Sequence, residues 1–97
     1  MVKVVKELFE EIQDQFDVLG NKEQIRTARE LIAGSKDLLM TSTSIIECRN
    51  TLSNLRILAQ SITPTVDVLD SVAELKMTLK LLDYSLLSLK QYFDLKQ

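Results

Sequence analysis

The sequence contains no histidine and no tryptophan, and only one cysteine, one proline and two glycines among its 97 residues. Each scarcity excludes something. Without histidine there is no imidazole for acid–base work near neutral pH, and none of the usual zinc sites. Cys48 stands alone, so no intrachain disulfide forms, which fits a reducing compartment and a cytoplasmic chain. Set among Ile45, Ile46 and Leu52, it reads as a small core residue rather than a reactive thiol. A sheet protein of this length needs many turns, and Gly20, Gly34 and Pro64 are too few to make them.

Charge of one sign is also missing. The formal charge is −2, and acids and bases alternate without a basic run. Nucleic-acid binding needs a basic excess to displace counterions, so no nucleic-acid partner is expected. The longest stretch free of charge runs from Ile57 to Val66, far short of the ~20 residues a membrane helix requires. The opening residues, with Lys3, Lys6 and Glu7, are too charged for the core of a signal peptide. No glycine-rich phosphate motif occurs. The carboxylate pairs Glu10/Glu11 and Asp67/Asp70 fall on helix faces turned to solvent. No catalytic, cofactor-binding or metal-binding residue is expected, nor a small-molecule substrate.

What is present is helical periodicity. Val5, Leu8, Ile12, Phe16 and Leu19 recur at helical steps, with Glu7, Glu10, Glu11, Asp14 and Asp17 opposite. Gly20 then stops the helix, and a left-handed C′ conformation is the expected means. Asn21 and Gln24 have the spacing of a capping box. Beyond them, Leu31, Leu38, Ile45 and Leu52 recur every seven residues, as do Ile32, Leu39 and Ile46. That unbroken phase predicts a single helix over 22–61, near 60 Å long at ~1.5 Å per residue. Gly34 and the run Thr41–Ser44 are weak helix formers, and the alternative is a chain that kinks at one of them and folds back into a compact monomer of four shorter helices, which would remove the main reason to expect assembly. The small polar run would also let helices approach closely. Pro64 fits the first turn of a last helix with Thr63 as its N-cap. Val68, Val72, Leu75, Leu79, Leu82, Leu86, Leu89 and Phe93 then form a heptad seam.

The expected fold is all-α: one domain over 1–97, an antiparallel, coiled-coil-like bundle of about three long amphipathic helices, 2–19, 22–61 and 64–95. The first is half the length of the second, so the longer pair is left partly uncovered. Met77, Leu81, Leu87 and Leu95 lie off the last seam and are the candidate interaction residues. Tyr84 and Tyr92 read as packing residues with wet hydroxyls. The function this implies is a non-catalytic protein-interaction module whose partners are other helical chains, in a homo- or hetero-oligomer. A regulatory subunit of an enzyme complex is the alternative of another class.

Two stretches resemble known families. Arg49-Asn50 with Leu52 and Leu55, the break at Ile62-Thr63-Pro64, and Leu82-Asp83-Tyr84 followed by Leu86-Leu87 and Leu89 resemble the N-terminal helical region of vesicle-tethering subunits, the exocyst and conserved oligomeric Golgi class. That resemblance implies a scaffold part that assembles through antiparallel helices. The segment Ile25-Arg26-Thr27-Ala28-Arg29-Glu30-Leu31-Ile32-Ala33-Gly34 resembles a helix of the vinculin, α-catenin and talin bundles, which implies an adhesion or cytoskeletal adaptor. The rest of the chain is poorer in alanine than that family.

Overall fold

The computed structural model describes residues 2–36 and 42–95. They form four helices and no strand: α1 (Val2–Leu19), α2 (Lys22–Lys36), α3 (Ser42–Gln60) and, after a 3-10 turn at Val66–Val68, α4 (Leu69–Leu95). α1 packs on α2, α2 on α3, α3 on α4, and α4 on α1, so each helix has two neighbours around one core.

The single helix expected over 22–61 is therefore two. A rod of that length would exceed the longest dimension of the chain, whose extents are 48 × 22 × 19 Å. Instead the start of α2 meets the end of α3, where Gln24 Nε2 donates to Ser61 Oγ at 3.0 Å. The end of α2 meets the body of α3, where the Ser35 and Thr51 hydroxyls lie 2.6 Å apart. The two helices thus run in opposite directions. The seven-residue step in the sequence does not mark one buried face: Ile32 is buried on α2 and Ile45 and Leu52 on α3, whereas Leu31 is only partly buried and Ile46 is exposed, so the core position shifts by one residue between the two helices. Leu38, Leu39 and Thr41 lie outside the described residues. With the long second helix goes the length mismatch, since α1 has 18 residues and α2 has 15.

Helix signals at the α1–α2 junction act as expected in one case and differently in another. Asn21 Oδ1 accepts from the Gln24 amide at 2.8 Å, and Gln24 Oε1 accepts from the Asn21 amide at 2.8 Å. This is a complete capping box, which satisfies two amides that the first turn leaves without partners. Gly20 does end α1, but no described glycine has a positive φ. Its amide still donates to Phe16 O at 2.8 Å. A Cβ at this position would sit 3.0 Å from Phe16 O and 3.1 Å from Gln24 Cβ. A side chain here would be crowded by the last turn of α1 and the first turn of α2, and no left-handed backbone is involved.

On α1 the buried line is Val5, Phe9, Ile12 and Phe16, while Leu8 and Leu19 are only partly buried. Phe9 satisfies the same helical spacing from Val5 and Ile12 as Leu8 does, so spacing alone does not choose between them. The start of the last helix also differs from expectation. Thr63 and Pro64 lie in the connection, and the 3-10 turn begins after Thr65, whose side chain makes no capping bond. Proline disfavours the helical region for the residue before it, and Val68 N bonding to Thr65 O at 3.1 Å starts the turn one residue beyond Pro64.

α4 carries the longest part of the core. Val72, Leu75, Leu79, Leu82, Leu86 and Leu89 are buried, with Val68 and Phe93 partly buried at the ends. They meet Ile32 from α2 and Ile45, Cys48, Leu52, Leu55 and Ala59 from α3 in one cluster. At 27 residues, α4 is about 40 Å long.

Candidate interaction surface

The inner seam of α4 leaves the opposite side of that helix without cover. Stepping from Met77 by four and three gives Leu81, Tyr84, Ser88, Gln91 and Leu95, a second heptad line on the outer side. Its large members are open to solvent: Met77 at 58%, Leu81 at 51%, Tyr84 at 74% and Leu95 at 87% exposure. Leu87, on the flank of this line, is 41% exposed. All four candidate residues, Met77, Leu81, Leu87 and Leu95, thus lie on the surface of one helix, with the first, second and last along a common line. Tyr84 belongs there too, instead of packing inside, and Tyr92 lies half exposed with its ring edge-on to Phe93 at 5.7 Å. The signal for Tyr84 was present in the sequence as its seven-residue step from Met77.

The two flanks of this line differ in charge. On one side α4 meets α1, where Gln15 Nε2 donates to Thr78 Oγ1 at 3.0 Å and Thr78 Oγ1 donates to Glu74 O at 2.9 Å. An open groove here is lined by Glu11, Asp14, Gln15, Val18, Ser71 and Glu74. On the other side α4 meets α3, and the groove is lined by Arg56, Gln60, Lys76 and Lys80 with apolar Ala59 and Leu79 beneath. Arg56 also reaches Asp83 at 3.5 Å, and Arg49 stands nearby on α3. Both partners of the Arg56–Asp83 pair are well exposed, so its contribution to stability is about 0–1 kcal/mol.

Polar groups that might suggest chemistry have structural roles. Ser35 Oγ lies 3.2 Å from Leu31 O and 2.6 Å from Thr51 Oγ1, a contact in which either hydroxyl can donate. Cys48 is fully buried, with Sγ 3.7 Å from Ser35 O. Small residues therefore line the α2–α3 contact and let the helices approach. Of the Thr41–Ser44 run expected to do this, Ser44 is buried and Thr43 is exposed. Burial of the thiol, with a smaller effect of Glu47, pushes Cys48 up to about 11. A thiol reagent at neutral pH should accordingly label the native protein slowly and the urea-unfolded protein fast. Fast labelling of the folded chain would place Cys48 at the surface. Since the folded thiol titrates higher than an ordinary one, its contribution to stability is intact below about pH 9 and declines as pH rises towards 11.

No group of three or more acidic or cysteine side chains able to hold a metal ion occurs among the described residues. None of the described helices is long and apolar enough to cross a membrane. No protein-family model matches the chain, and no curated protein or solved structure is significantly similar to it.

Proposed function

We propose that this chain is a non-catalytic interaction module that docks a helix of another protein chain along the outer face of α4. The observation that carries this is the line Met77, Leu81 and Tyr84: three large side chains on consecutive heptad positions, each more than half exposed, on the helix whose other side closes the core. Scattered single apolar residues on a surface need no explanation, but an aligned set is the usual mark of a protein contact. Helix-on-helix docking is favoured because steps of four and three present knobs to a helical partner and not to an extended strand. We take the bundle itself as antiparallel around its circuit, so that α4 is a rigid platform. Membership of a scaffold, such as the tethering subunits that the stretch 49–90 resembles, is a narrower form of the same proposal. It needs no cofactor or substrate.

The test is placement of a photoreactive residue in cells that make the protein. In place of Leu81 it should give a covalent adduct with a protein chain. In place of Asn54, exposed on α3, it should give none. Equal yields at the two positions, or no adduct at Leu81, would overturn the proposal.

A further inference from the structure

We infer that the outer face of α4 is occupied by a second copy of this chain, with the two α4 helices side by side and parallel. This rests on the docking role proposed above and names its occupant and orientation. The ground for it is the arrangement of charge about the apolar line. Glu11, Asp14 and Glu74 stand on the α1 side, and Lys76 and Lys80 stand on the α3 side. Arg49 lies further along the α3 side, while Arg56 is turned to Asp83.

The two flanks also match in height. Gln15 faces Thr78, and Val18 shares a groove with Ser71 and Glu74, so α1 and α4 run in opposite directions. Glu11, about one turn from Gln15, therefore stands near the level of Leu82. Acids and bases on opposite flanks thus occupy the same stretch of α4.

Symmetry then selects the orientation. A dimer of identical chains is related by a two-fold axis, and a face-to-face contact has that axis in the plane of the face. With the axis along α4, left and right exchange. The acidic flank of each copy then lies over the basic flank of the other, and the helices are parallel. With the axis across α4, left lies over left, so acid opposes acid and base opposes base. The face is self-complementary only in the parallel arrangement. Met77, Leu81, Tyr84 and Leu95 then meet their own copies along the seam, with charges flanking it as in a parallel coiled coil.

Three measurements on the full chain test this together. Sedimentation should show a one-chain to two-chain equilibrium that shifts with concentration. Lys76→Glu with Lys80→Glu should weaken it about tenfold at low salt, and adding Glu11→Lys with Glu74→Lys should restore it, since charge complementarity sets the pairing. Under oxidation, Met77→Cys should couple to itself, and Gln91→Cys to itself, because the two positions are about 21 Å apart along the helix. In a mixture of the two variants, disulfides between positions 77 and 91 should be rare. A one-chain mass at every concentration would exclude the second copy. Adducts at Leu81 with a different chain would then leave the docking role standing, whereas their absence would remove that role as well. Failure of the fourfold charge exchange to restore pairing, or a majority of 77–91 disulfides, would overturn the parallel arrangement.

Discussion

Spin labels at positions 23 and 60 should report a distance on the order of 20 Å, because neighbouring helices pack about 8–10 Å apart and the label arms supply the rest. Glu23 and Gln60 are both exposed, so the labels displace nothing from the core. The side chains next to them, Gln24 and Ser61, are in hydrogen-bond contact at 3.0 Å. A single helix over the same residues would hold the labels about 55 Å apart. The two outcomes differ by more than twofold and do not overlap. A distance above 45 Å or so would mean that α2 and α3 are one rod, because no folded-back pair at that packing distance reaches so far. The apolar surplus would then be spread over two long helices rather than confined to the outer side of α4.

The break between α2 and α3 was hard to read for a physical reason. A helix that reverses must leave and re-enter the core with its apolar side inward. Two apolar series one residue apart, Leu31 with Ile45 and Ile32 with Ile46, both keep a seven-residue step in the sequence, so periodicity does not show that the core takes Ile32 from one and Ile45 from the other. Gly34 and Thr41–Ser44 gave the only hint of the break. Where the signal is local hydrogen bonding, it was legible. Asn21 and Gln24 cap α2 as their spacing implies. Cys48 lies in the core as its apolar neighbours imply. The α4 seam was legible because a run of six buried positions from Val72 to Leu89 leaves little freedom of phase. Gly20 shows the opposite case. Its place at the end of α1 was plain, but its backbone is not left-handed, and the crowding a Cβ would meet at Gln24 depends on how α2 starts. Phe9 and Thr65 depended on packing and on the connection in the same way. The candidate surface was legible as four residues and incomplete in its borders. Tyr84 read as a packing residue with a wet hydroxyl, and the charges that α1 and α3 add to its flanks, Glu11 and Asp14 on one side and Arg56 on the other, are ones no reading of one helix can supply.

Two pairs of neighbouring leucines on α4 separate its inner and outer roles. Leu82 and Leu86 are wholly buried, and truncating either to alanine removes three heavy atoms' worth of packing on one side of a shared core. Each change to alanine should cost about 2–5 kcal/mol, the range for buried leucine. A domain of this size has a total stability of about 5–15 kcal/mol, so either variant will be close to unfolding in mild denaturant. Leu81 and Leu87 adjoin them in sequence but are 51% and 41% exposed. Their truncation should change stability by about 0.5 kcal/mol or less, as for other surface positions. The measurements belong at low chain concentration, where association adds least to apparent stability.

The central claim is that one side of α4 holds the fold and the other is left for a partner, and the direct test is urea unfolding of Leu81→Ala beside Leu82→Ala. The account predicts a midpoint near that of the parent chain for Leu81→Ala and a large drop for Leu82→Ala, with unchanged slopes in both. Equal losses at the two positions would mean that Leu81 is packed within the bundle, and α4 would then have no free face to offer.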